Sequence, residues 1–111
     1  MDYKKIYEKV NFVTKITERA FLNYIDDSIT ELEAVHGKFL YEEGTHYKAP
    51  HALSDPLPVR KLYHGVLADN VLFLAGAGEH HKSEALRKAR LAYNKYWHDN
   101  AKGRRIRRVG W

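Results

Sequence analysis

The chain has 111 residues, 44% of them apolar and 30% charged, with a net charge of +5: enough for one domain around one core. It has no cysteine, which excludes a disulfide framework and a thiolate zinc site. Its longest nearly uncharged apolar stretch, Val71 to Gly78, falls far short of the ~20 residues a membrane-spanning helix needs, and Met1-Asp2-Tyr3-Lys4-Lys5 lacks the apolar run of a signal peptide, so a cytosolic chain is expected.

Residues 3–10 place Tyr3, Ile6, Tyr7 and Val10 on one helical face, with lysines and Glu8 on the other. A helix this short is unstable alone and must dock on something. Residues 15–36 read as the first long helix, with Phe21, Ile25, Ile29, Leu32 and Val35 recurring at helical spacing. Thr14 is its expected N-cap and Gly37 its stop. Ser28-Ile29-Thr30-Glu31 also fits a capping box, which would break the helix near Asp26-Asp27. The apolar stripe crosses that point without a phase change, which favours one helix.

Residues 41–56 hold Gly44, Pro50, Pro56 and two histidines without a clear period, and are expected to form a long loop. A second long helix is expected over 57–75, with Asp55 as cap and Pro56 or Pro58 in the first turn. Its C-terminal half, Val71-Leu72-Phe73-Leu74-Ala75, is apolar almost all round, which suits the most buried helix or one that also feeds an oligomer interface. Gly76-Ala77-Gly78 ends it. A third helix is expected over roughly 80–101, with Ser83 near its start and a stripe of Leu86, Ala89, Tyr93, Tyr96 and Trp97. Lys82, Arg87, Lys88, Arg90 and Lys95 lie mostly off that stripe, and Gly103 stops the helix.

The fold class that follows is all-α: three main helices, a short N-terminal helix, the 41–56 loop and a basic C-terminal arm. Residues 1–103 form the helical domain and 104–111 the arm. Lys102, Arg104, Arg105, Arg107 and Arg108 are matched by no acid between Lys102 and Trp111. The remaining chain holds 14 basic and 14 acidic residues, so this segment carries the whole net charge. Within the body, residues 26–43 carry Asp26, Asp27, Glu31, Glu33, Glu42 and Glu43 against Lys38 alone, and such a chain can associate head to tail.

No arrangement of residues points to catalysis, so an enzyme, a cofactor and a metal are not expected. Glu33-x-x-His36 has the spacing of a di-iron motif but has no second copy. His80-His81, His46, His51, His64 and His98 lack the spaced partners of a triad. Gly76-Ala77-Gly78-Glu79 lacks the Lys and the preceding strand of a phosphate loop and reads as a helix–helix turn. The arm admits two readings. Its cations would bind phosphate, with Trp111 stacking on a base. Alternatively Arg and Trp, with Ile106 and Val109 between the Arg pairs, suit an acidic protein surface with pockets. The apolar spacing favours the protein partner. A small regulatory helical module, of the toxin–antitoxin kind, is a third class that size and helicity allow.

The pattern resembles the head–tail connector (head-completion, adaptor) proteins of long-tailed phages and prophages. The likeness rests on Ile25-Asp26-Asp27-Ser28-Ile29-Thr30-Glu31-Leu32-Glu33, on Ala68-Asp69-Asn70-Val71-Leu72-Phe73-Leu74, and on the run from Tyr96-Trp97 to Arg104-Arg105-Ile106-Arg107-Arg108. It covers most of the chain as helix pattern and size; the 41–56 loop has no counterpart in it. The resemblance implies a structural virion protein, present in the host bacterial cytoplasm during assembly. Its copies would form a ring, commonly of twelve, between the portal protein and tail-side connector proteins. The ring would extend the channel through which DNA passes without specific recognition. Arg104, Arg105, Ile106, Arg107, Arg108, Val109 and Trp111 would then dock on the portal. The charge pattern, and not the resemblance, would set Asp26, Asp27 and Glu31 of one subunit against Arg87, Lys88 and Lys95 of the next. The alternative is a small basic nucleic-acid-binding protein that uses the arm and the third helix.

Overall fold

The computed structural model describes residues 2–101, with side chains through Trp97. The arm, Lys102, Gly103 and the His98 side chain lie outside the described residues. Helix α1 spans Lys4–Val13 and buries Ile6 and Val10, the period read from the sequence. Its first turn is held by Asp2, whose Oδ1 accepts the Lys4 N–H at 3.0 Å. The turn that follows is tied back onto α1: the Tyr7 hydroxyl donates to the Ile16 carbonyl (2.9 Å), and the Ile16 N–H donates to Asn11 Oδ1 (3.0 Å).

Helix α2 spans Glu18–His36 without a break, so the capping-box alternative at Ser28 is not taken. Ser28 is instead fully buried on the helix face that meets the core. The N-cap is Thr17 rather than Thr14: its Oγ1 accepts the Ala20 N–H, while Thr14 is extended and closes α1. Gly37, at φ +68°, ends α2 as expected, and its N–H returns to the Glu33 carbonyl.

A short 3₁₀ turn, Gly37–Leu40, leads into the loop. The helix expected from residue 57 begins only at His64, after a 3₁₀ turn at Lys61–Tyr63; helix α3 is His64–Leu74. The prolines explain the correction. Pro58 lacks an N–H and biases Leu57 away from helical φ/ψ. Leu57 and Val59 are buried while Pro58 between them is only half-buried, an extended alternation. This segment runs antiparallel to residues 40–42, through Glu42 N–H to Pro58 O and Arg60 N–H to Leu40 O, both 2.8 Å. Asp55 caps no helix; its Oδ2 accepts the N–H groups of His51 and Ala52 in a loop turn.

Val66 through Leu72 are all buried, so α3 is the central helix. The turn after it uses Gly76 at φ +84°, where a β-carbon would be strained. Helix α4 then runs His80–Ala101. The four helices form a compact all-α domain, with no strand among the described residues.

The inward face of α4 matches the expected stripe at Ala89 and Tyr93 but not at Leu86. Ala85, Ala89 and Ala92 meet the core, and Leu86 and Leu91 point outward. Small residues let α4 approach α3 closely, so the apolar bulk of Leu86 sits one position off the contact. Leu86→Ala is therefore expected to change stability by less than about 0.5 kcal/mol. Ala92→Leu overpacks the helix contact and is expected to cost about 1–3 kcal/mol, checked by urea denaturation of both variants.

Candidate functional site

The loop is fixed by tyrosines that reach α2. Tyr41 donates its hydroxyl to Glu33 Oε1 and Tyr47 donates to Asp26 Oδ1, with the two rings stacked 6.1 Å apart. Burial pushes both phenols well above their ordinary range, with the neighbouring carboxylates adding to the shift. At the other end of the loop the Tyr3 N–H donates to the Leu53 carbonyl at 3.0 Å. These ties leave a groove of about 730 Å³ lined in part by His46, Lys48, His51 and Leu57. The two histidines are exposed. Among the described residues no group of three His, Asp or Glu side chains is placed to hold a metal ion.

Four of the six residues singled out as inter-subunit contacts, Asp26, Glu31, Arg87 and Lys88, also have partners within the chain. Asp26 accepts the Tyr47 hydroxyl. Glu31 accepts from Asn70 Nδ2 at 3.0 Å and from Lys82 Nζ at 3.4 Å. Lys88 lies 2.6 Å from Asp69 Oδ2, and Arg87 pairs with Glu84 one turn back on α4. Much of the charge complementarity read along the chain is thus satisfied within one molecule, α2 and α3 against α4. Asp27 is exposed and has no ion-pair partner among the described residues, and Lys95 is exposed.

Two buried polar centres carry this arrangement, and neither has a sequence motif. Asn70 donates to Ser28 Oγ at 2.9 Å as well as to Glu31, locking α3 to α2. Asp69 takes Lys88 on one oxygen and His81 Nδ1 (3.3 Å) on the other, locking α3 to α4. Asp69 and Asn70 sit in an apolar run, and that placement was the available signal: buried polar residues are retained where they have partners.

An aromatic cluster joins the turn after α2, the segment before α3 and the C-terminal half of α4. Phe39 packs edge-on against Trp97 (4.6 Å between ring centroids) and on Tyr96, and the Arg60 guanidinium lies 4.8 Å from the Tyr96 ring centre. Arg60 Nε also donates to the Phe39 carbonyl. Beside them lies a cavity of about 510 Å³, with Glu42 and Glu43 on its wall. A groove of about 200 Å³ lies between α2 and α4, with Leu32, Val35, Ala85, Leu86 and Ala89 on its wall beside Glu31, Asn70 and Lys82.

His36 is held between the rings of Tyr63 and Tyr93. His64 donates from Nε2 to the Val59 carbonyl at 2.9 Å, which fixes its neutral tautomer. Burial lowers both imidazoles below their ordinary value of 6.5; for His64 the Val59 carbonyl opposes this in part. The unfolded chain then binds more protons than the folded one, so the stabilisation is complete above the unfolded value and is lost as pH falls from about 6.5 toward the lowered folded values. Thermal melts between pH 8 and pH 5 are expected to show a falling midpoint, and His36→Gln with His64→Gln to flatten the decline in that window.

No helix among the described residues is long and apolar enough to cross a membrane. No family model, no curated protein and no solved structure matches this chain.

Proposed function

We propose that this protein is a structural assembly subunit, a head–tail connector whose copies join a portal protein to the tail side of a phage particle. The supporting observation is apolar surface left uncovered on a small body: Phe12, Val35, Leu86 and Leu91 are 89%, 74%, 59% and 54% exposed. Val35 and Leu86 share the groove between α2 and α4, and exposed apolar residues that adjoin one another mark contact with other proteins. The arm adds Arg, Ile, Val and Trp, the mixture that anchors an interface. No step of this role needs a cofactor or a catalytic group.

The nucleic-acid reading draws less support. Three of the cations it would use on α4, Lys82, Arg87 and Lys88, already pair with Glu31, Glu84 and Asp69. Binding of the full chain and of a chain lacking residues 104–111 to purified portal protein, beside a duplex-DNA titration across a salt series, separates the two. Arm-dependent portal binding supports the connector. Salt-sensitive DNA binding with no portal binding replaces it.

A further inference from the structure

On α1 the solvent face carries Lys5, Lys9 and Phe12 in one row, at i, i+4 and i+7. Phe12 is almost fully exposed at its end, and none of the α1 lysines is ion-paired among the described residues. On α2 the row Asp27, Glu31, Val35 runs at i, i+4 and i+8. Val35 and Glu31 both line the α2–α4 groove, which Lys82 also borders, and Asp27 lies one turn before Glu31. The two rows match in register. Lys5 lies about 10 Å along its helix from Phe12, and Asp27 about 12 Å from Val35. In both, the charges are N-terminal to the apolar anchor.

Phe12 cannot use the groove of its own chain. Tyr7 packs on Phe21, and its hydroxyl holds the Ile16 carbonyl, so α1 is fixed at the start of α2. Val35 lies seventeen residues beyond Glu18, roughly 25 Å along the helix. Charge complementarity extends past the two rows. Residues 4–19 carry Lys4, Lys5, Lys9, Lys15 and Arg19 against Glu8 and Glu18, a net of +3. Residues 26–43 carry six acids against Lys38, a net of −5.

We infer that a second copy of this chain docks here head to tail, Phe12 of one copy entering the Leu32–Val35–Leu86–Ala89 groove of the next, with Lys5 and Lys9 laid parallel along Asp27 and Glu31. The inference deepens the assembly reading and rests on it for its purpose. A contact between two different faces of the same chain is heterologous, so it propagates until the rotation closes a ring. Glu31 can take part while bonded to Asn70 and Lys82, since its side chain is 58% exposed. One helix row against a small groove buries less than a standard interface, so each single contact is weak and salt-sensitive.

The test is sedimentation equilibrium of the full chain at low salt over a wide concentration range. Its average mass is expected to rise above the 13.0 kDa of one chain and to return toward it in ~0.5 M salt. Phe12→Ala is expected to weaken association at least tenfold. Lys5→Glu with Lys9→Glu in one chain, and Asp27→Lys with Val35→Lys in another, are each expected to stay monomeric. An equimolar mixture of these two chains is expected to associate again, because each α1 row then meets an opposite groove. All five positions are exposed, so the fold is kept. A full chain that remains at 13.0 kDa at millimolar concentration overturns the inference, as does a mixture that fails to recover or association untouched by Phe12→Ala. Duplex DNA binding lost with Lys5→Glu and Lys9→Glu while association persists assigns the α1 row to nucleic acid instead. Deleting residues 104–111 tests the portal reading and is expected to leave this contact unchanged, so the two fail separately.

Discussion

Phe21→Ala is expected to destabilise the protein by about 3–5 kcal/mol, the usual cost of emptying a buried phenylalanine site. Phe21 is fully buried in α2, and its ring meets Tyr7 of α1 edge-on at 5.2 Å. Losing it leaves a cavity and loosens α1, which still packs through Ile6 and Val10 but at ten residues depends on such tertiary contacts to stay helical. Total stability for a domain of this size is about 5–15 kcal/mol, so a large fraction of it is at stake. The melting midpoint is expected to fall by at least about 10 °C, with amide exchange across α1 accelerating most. Phe12→Ala is the control. The residue type is the same, nine positions earlier, but Phe12 is exposed and its removal is expected to cost less than about 0.5 kcal/mol. A large loss at Phe12, or none at Phe21, would contradict the packing described.

Removing residues 104–111 is expected to leave the melting midpoint within about 2 °C of the full chain and to abolish docking on the portal. Among the described residues Tyr3, Phe21, Leu67, Val71 and their neighbours bury one another in one core. Within the arm, Trp111→Ala is expected to weaken docking on the order of 30-fold, as loss of an aromatic anchor does. Replacing Arg107 and Arg108 by Gln is expected to act mainly on the association rate and to flatten its salt dependence. If the truncated chain does not fold, residues 104–111 belong to the core and the separate arm is wrong.

The helices were legible wherever apolar residues recur with helical period, and their faces were legible only where bulk and contact coincide. On α1, Ile6 and Val10 are both apolar and inward. On α4 the two separate: alanines make the contact, while Leu86 and Leu91 are left outside. The start of α3 was misplaced because proline suits both the first turn of a helix and an extended segment, and pairing with residues 40–42 decides between them. Thr14 and Thr17 are equivalent as sequence; which of them caps depends on where the turn after α1 closes. The ties from Tyr41 to Glu33, Tyr47 to Asp26 and Lys88 to Asp69 join elements that no local pattern connects. Phe12 had a signal of its own, an aromatic residue on the polar face of an amphipathic helix, off the Tyr3–Ile6–Tyr7–Val10 stripe.

Electron microscopy of the full chain mixed with purified portal protein tests the assembly role most directly. A ring of copies is expected on the tail-facing side of the portal, with neighbouring copies in contact and residues 104–111 seated on portal density. Portal particles that stay bare at tens of micromolar chain, or that bind single copies equally well without residues 104–111, would contradict it.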